Sequence, residues 1–220
     1  MGKQILFLFL FLLLPIASYC QRDSISYLAL GDSYTAGTSE SLINGWPYQL
    51  VEIFNKRKVP VKTPKIVAQP GWTTTDLIKS IKSQHLEPKY DLVSLLIGVN
   101  NQYKGKPLDI FKLEFQELLN TSIALAQGKP ENVFVLTIPD WSVTPFARFR
   151  DKEKIVRELE TYNTLIGEET KKRQVQLIDI TKISQNAAVN PSWIASDSLH
   201  PSKKMYKAWA KKISKSILKD

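Results

Sequence analysis

Five short apolar runs, each followed by a longer stretch of helical period, constrain this 220-residue chain more than any other feature. The runs cover residues 27–30, 65–68, 92–97, 132–138 and 175–180. Run 92–97, LVSLLI, is interrupted only by Ser94 and stops at Gly98. Near-continuous apolar runs of this length are what strands buried on both faces look like. The intervening segments have a different period. Residues 47–56 turn Leu50, Val51 and Phe54 inward. The next helix, capped by Thr74 or Thr75, carries Leu77, Ile78 and Ile81. Segment 108–127 repeats apolar residues at helical spacing until Gly128 and Pro130 stop it, and 151–173 does so through Ile155, Leu159, Tyr162 and Ile166. Strand and helix therefore alternate five times. That order predicts an α/β chain with a five-stranded parallel sheet between two helical layers, a doubly wound α/β/α sandwich. Right-handed crossovers leave few topologies open.

The first twenty residues stand apart. A basic start at Lys3, an almost unbroken Leu/Phe run over 5–16, and small residues at Ala17, Ser18 and Cys20 match a secretory signal peptide. The apolar run is too short for a membrane span, which needs about 20 residues. The expected organisation is a signal peptide over 1–20 and a single domain over 21–220, secreted or periplasmic. The alternative is a lipoprotein anchored through Cys20, which Tyr19 argues against. Cys20 is the only cysteine, so no disulfide within the chain is available and the core must hold the fold.

The net charge is +9, and much of it recurs as lysines on the last helix between Met205, Trp209, Ile213 and Ile217. This reads as an amphipathic helix with a basic solvent face. No clustered patch with base-stacking groups accompanies it, so nucleic acid is not expected as a partner. Peripheral contact with anionic surfaces remains open. Two isolated histidines and one cysteine give no metal-ligand spacing, and no cofactor is expected.

Chemistry-bearing residues fall just past the carboxyl ends of the runs, the edge where open α/β sheets bind ligands. Run one ends in GDSY, with Ser33; run two in QPGWTT, with Gly71; run three in LIGVNNQY, with Asn100. After run five comes SDSLHPS, with Asp197 and His200. Each has a bland reading alone: a helix cap for Ser33, a Pro-Gly turn for Gly71, a strand-end turn for Asn100, a cap or turn for Asp197, and a helix-flanking residue for His200, with Pro201 at the first helical position. His85, in SQHLEPK, reads as a solvated surface residue. Convergence on one edge changes the weighing. Acyl transfer needs a nucleophile, a base, an orienter of the base and oxyanion donors. Ser33, His200 and Asp197 can fill the first three roles.

The four blocks, in this order, resemble the GDSL-type SGNH hydrolases, named for a Ser, a Gly, an Asn and a His. The resemblance spans nearly the whole chain after residue 20. It implies a flavodoxin-like strand order 2-1-3-4-5 and a secreted serine esterase with a Ser33–His200–Asp197 triad. It also implies an oxyanion hole from the backbone N–H groups of Ser33 and Gly71 and the Asn100 amide. Substrates of such enzymes are lipid, thioester or carbohydrate acyl esters. The third block departs from the usual Gly-x-Asn-Asp: Asn101 stands where the Asp would be, and reads as loop support that keeps hydrogen bonds and loses a charge. Asp32 reads as a loop-organising carboxylate. No G-x-S-x-G elbow is present, which argues against an α/β-hydrolase. Two other classes stay open: a flavodoxin-like protein holding a flavin phosphate on the SYTAGT loop, and a catalytically inactive surface-binding module. Trp72, beside Gly71, and Phe146, in the loop after run four, are expected to bound an acyl pocket.

Overall fold

The computed structural model describes residues 24–218; the signal peptide expected over residues 1–20, with Cys20 and its alternative role, lies outside them. The strands are β1 (Tyr27–Gly31), β2 (Lys65–Ala68), β3 (Leu92–Leu96), β4 (Val133–Leu136) and β5 (Gln176–Ile178). All pair in parallel, in the order β2-β1-β3-β4-β5. The three central strands are buried along their whole length, while β2 and β5 at the edges are partly exposed. Ser94, the one polar residue of its run, is fully buried and shares a 2.9 Å hydrogen bond with the Tyr27 hydroxyl, so its burial leaves no unmet group.

The helices are α1 (Ser33–Ala36), α2 (Trp46–Lys56), α3 (Thr74–Ser83), α4 (Val99–Tyr103), α5 (Leu108–Leu125), α6 (Lys152–Lys172), α7 (Thr181–Gln185) and α8 (Lys203–Leu218). They cover both faces of the sheet. On one, α2 packs on α8 and together they bury Trp46, Leu50, Phe54, Trp209 and Ile213. On the other, α3, α5 and α6 lie side by side and bury Leu77, Phe111, Phe115, Leu118 and Ile166. Each long helix turns its apolar stripe to the sheet, which is the burial that stabilises helices of this length in water.

Two local readings need correction. The cap of α3 is Thr73, not Thr74 or Thr75: Asp76, three residues on, accepts from the Thr73 N–H at 2.9 Å and completes a capping box. α8 starts at Lys203, so Pro201 is not its first residue. Instead, residues either side of Pro201 pair with an earlier extended piece. Ala195 N–H donates to the His200 carbonyl (2.8 Å) and Ser202 N–H to the Trp193 carbonyl (2.8 Å). His200 is thereby held by backbone pairing before the helix begins.

Candidate active site

β1 delivers Ser33 directly. Asp32 caps α1, accepting from the Tyr34 N–H at 3.0 Å, and Ser33 takes the first helical position. The turn is tight: a Cβ on Gly31 would lie 2.3 Å from the Thr35 hydroxyl and 2.5 Å from the Leu96 carbonyl. Only glycine admits that approach. Ser33 itself is 6 % exposed. Its N–H, at the start of α1, has no carbonyl one turn back. Asp32 is fully buried, and burial pushes its carboxyl up to about 7.

Gly71 follows β2 at φ +81, where a Cβ would meet nothing within 4 Å. Glycine is favoured here by backbone conformation rather than by crowding from the rest of the chain. Lys104 Nζ fixes the turn by donating to the Gly71 carbonyl at 2.7 Å. Asn100, in α4 after β3, donates one amide hydrogen to the Trp72 carbonyl at 2.9 Å, which orients the amide and leaves its second hydrogen free. Its neighbour Asn101 is 1 % exposed and ties α4 to α3. Its Oδ1 accepts from the Thr74 N–H (3.0 Å) and its Nδ2 donates to the Thr74 hydroxyl (2.7 Å).

Asp197 and His200 form a local unit. Asp197 Oδ1 accepts from the N–H groups of Leu199 and His200, each at 3.0 Å, and its Oδ2 meets His200 Nδ1 in a short contact. Ser39 also donates to Oδ2, at 2.6 Å. Partial burial works against the charge on Asp197. The hydrogen bonds from Ser39, the His200 ring and the two backbone amides outweigh it and hold the carboxyl well below the usual range. With Nδ1 engaged, Nε2 is the ring nitrogen left to act. The Tyr34 ring supports the imidazole edge-on, 5.7 Å between centroids.

These groups meet at one cavity of about 170 Å³, which Ser33, Gly71, Asn100 and His200 all line. Its other walls are apolar, chiefly Val99, Trp141, Phe146 and Leu199. Phe146 thus lines the same cavity as Ser33. Trp72 is not among the lining residues; its half-buried ring packs against the core, and its contribution is the carbonyl that Asn100 binds. The reason is local. The φ of Gly71 turns the chain, and Trp72 starts the descent into α3. Tyr103 and Leu199 also line the cavity, and Ser39 donates to Asp197; none of the three was singled out from sequence. For Ser39 the signal was slight, one more hydroxyl in a Gly/Ser/Thr-rich loop. His85 is exposed, away from the site.

A parallel sheet of order 2-1-3-4-5 with a serine, an imidazole–carboxylate pair, a loop glycine and a side-chain amide around one cavity at its carboxyl edge defines a class, the SGNH-type α/β/α hydrolases. The chain belongs to the GDSL-like lipase/acylhydrolase family, whose model matches residues 29–208, and is a carboxylic ester hydrolase of that type. No protein of curated function matches it by sequence. Solved structures share its fold. One is the psychrotrophic esterase EstA of a Pseudoalteromonas species, inhibited by monoethylphosphonate (17 % identity, 89 % of this chain and 98 % of that one, TM-score 0.69). Others are a lipase/acylhydrolase of Enterococcus faecalis (23 %, 88 % and 95 %, 0.66) and Axe2, an acetylxylan esterase of Geobacillus stearothermophilus (17 %, 88 % and 94 %, 0.66).

Proposed function

We propose that the chain hydrolyses short-chain acyl esters through Ser33, His200 and Asp197. The observation that carries this reading is the single cavity shared by the serine, the acid-oriented imidazole and two candidate oxyanion donors. His200 Nε2 accepts the Ser33 hydroxyl proton as Oγ bonds to the ester carbonyl carbon. Asp197 keeps the ring in the productive tautomer and stabilises the imidazolium. The carbonyl oxygen, now an anion, takes hydrogen bonds from the Ser33 and Gly71 N–H groups and the Asn100 amide. Collapse breaks the bond to the alcohol oxygen, which receives the proton from His200. Water then repeats the sequence on the acyl-enzyme.

The cavity bears on acyl length. At about 170 Å³ it is close in size to a cavity of about 150 Å³ that holds one benzene molecule, which suits a short acyl group. Phe146, with Trp141, bounds it. Axe2, whose name gives an acetyl ester as its substrate, is consistent with a short acyl group. We further propose export, with residues 1–20 removed and Gln21 as the first residue. Mass spectrometry of exported protein would read this directly, and a diacylglyceryl Cys20 would replace it with the lipoprotein form.

The test of the mechanism is paired. Ser33→Ala and His200→Ala should each lower kcat on an acetyl ester on the order of 10⁴-fold with an unchanged melting curve. A serine-directed phosphonate should label wild type once, at Ser33. Near-wild-type turnover by folded Ser33→Ala would sink the assignment. Absence of labelling together with absence of hydrolysis would favour the inactive surface-binding module.

A further inference from the structure

The turn that carries Gly71 is weakly held by its own stretch of chain. It hangs from β2, an edge strand of the sheet, and strand pairing ends at Ala68. Gln69, Pro70 and Gly71 are all exposed. Among the described residues, one backbone hydrogen bond closes the turn, from the Trp72 N–H to the Gln69 carbonyl, and at 3.3 Å it is long. Gly71 sits at φ +81 with nothing packed around its Cβ direction, and glycine leaves that conformation as readily as it enters it. Residue type and packing therefore permit the turn without fixing it.

The restraint comes from α4. Asn100 Nδ2 donates to the Trp72 carbonyl at 2.9 Å. Lys104, which caps the end of α4, reaches both donor residues. Its backbone N–H donates to the Asn100 carbonyl at 3.1 Å, and its Nζ donates to the Gly71 carbonyl at 2.7 Å. The second bond has the length of a charge-assisted hydrogen bond. α4 is a firm base for it. Asn101 is bonded twice to Thr74. Gln102, 7 % exposed, accepts from Trp141 Nε1 at 3.0 Å and donates to Glu158 of α6 at 2.7 Å. The Gly71 carbonyl and the Gly71 N–H lie in peptide planes on either side of one Cα. With the chain pinned at Ala68 by the sheet and at the Gly71 carbonyl by Lys104, rotation of the N–H between them is restricted.

From this we infer that Lys104 is a positioning residue of the oxyanion site, whose ammonium keeps the Gly71 N–H aimed into the cavity that Ser33 and His200 share. The inference rests on the serine mechanism above and adds to it a residue just past the third sequence block. Lys104 does not line the cavity, so it acts through Gly71 and touches no reacting atom. A donor lowers the barrier most when it is aimed before the charge develops and needs no reorganisation at that moment. Its loss therefore falls on the transition state and leaves the bound ester nearly unaffected.

The experiment measures kcat and KM on 4-nitrophenyl acetate, inhibition by an alkyl trifluoromethyl ketone, and thermal melting. The full chain is used as wild type, Ser33→Ala, Lys104→Met and Lys104→Arg. The ketone reports the anion directly. Ser33 Oγ adds to its carbonyl carbon, the hydroxyl proton passes to His200, and the oxygen stays as an anion because no group can leave. Lys104→Met keeps an unbranched side chain without the donor. It should lower kcat about tenfold, the effect of one lost charge-assisted hydrogen bond, with KM nearly unchanged. Inhibition by the ketone should weaken by the factor that kcat/KM loses. Lys104→Arg still presents a charged donor and should keep most of the turnover. Wild-type kcat in Lys104→Met overturns the inference, as does a loss confined to KM. A fall in kcat that the ketone does not follow also overturns it, whether or not melting changes, because the residue would then be merely structural. So does a loss in Lys104→Arg as deep as in Lys104→Met. If wild type cleaves the ester, Ser33→Ala does not, and Lys104→Met matches wild type, the inference alone falls. If wild type cleaves no ester, or Ser33→Ala cleaves it equally well, the serine mechanism falls with it.

Discussion

Asn101→Asp restores the residue type usual in this family's third block, and the structure predicts that it harms this chain. The reason lies in one proton. The Thr74 hydroxyl donates to Glu114 Oε2, so toward residue 101 it can only accept, and it does accept from Asn101 Nδ2 at 2.7 Å. A carboxylate at 101 keeps the bond from the Thr74 N–H but faces the hydroxyl acceptor to acceptor, at a position 1 % exposed. A lost hydrogen bond that leaves a buried group unmet costs about 1–3 kcal/mol. At ~2–4 °C per kcal/mol for a chain of this size, a mid-range loss of ~2 kcal/mol lowers Tm by about 4–8 °C at neutral pH. The loss should shrink in acid, where the protonated carboxyl donates as the amide did. Adding Glu114→Gln to the Asn101→Asp protein should recover part of it, because the Thr74 proton is then free to turn; a double-mutant cycle measures that coupling. The assay is thermal melting of wild type, the two single variants and the double variant at neutral and acid pH. An Asn101→Asp protein that melts at or above the wild-type temperature would refute the reasoning, and would mean that Thr74 re-aims its hydroxyl without cost.

Other predictions concern the site itself. Asn100→Ala should lower kcat by about 10²–10³-fold with little change in KM; a loss confined to KM would make Asn100 a ground-state binding residue. Asp32 has its folded carboxyl pushed up to about 7 by burial, against about 3.9 when unfolded. Between those values the folded state keeps a proton that the unfolded state has released. Stability should therefore fall as pH rises, by up to ~1.4 kcal/mol per pH unit, and level off above the folded value. Asp32→Asn retains the Oδ1 acceptor for Tyr34 and should remove that slope; parallel melting profiles of variant and wild type from acid to neutral pH would count against it. Phe146→Ala should move the acyl optimum to longer chains, each added methylene gaining up to about 0.8 kcal/mol, while Trp72→Ala should change kcat/KM by one factor across the series. A shifted profile in Trp72→Ala would return its ring to the cavity wall.

The fold was readable because its signals are local and repeated. Each buried strand is an apolar run bounded by Gly, Pro or polar residues, and each long helix keeps its period. What escaped was set by contacts distant in sequence. Ser39 supports Asp197 across 158 positions, and nothing near residue 39 announces that. The side of the turn on which Trp72 falls depends on the φ of Gly71, which residue type permits but does not specify. Start positions at α3 and α8 depended on which of several adjacent hydroxyl or proline residues won the cap, a competition decided by Asp76 in one case and by strand-like pairing around His200 in the other.

The pairing of Asp197 with both the ring and the main chain of its own loop has a mechanical consequence. Because one carboxylate anchors the Leu199 and His200 amides and also the imidazole, Asp197 and His200 are tied to each other and to one loop. Motion of the loop carries both together, and the weak joint is the gap between that loop and the β1 turn bearing Ser33. Across it run the Ser39–Asp197 hydrogen bond and the edge contact of Tyr34 with the imidazole. In the proposed mechanism, loosening either would change the distance over which the serine proton travels while leaving the Asp197–His200 pair intact. If that mechanism operates, activity measured on warming should fall before the melting transition and return on cooling.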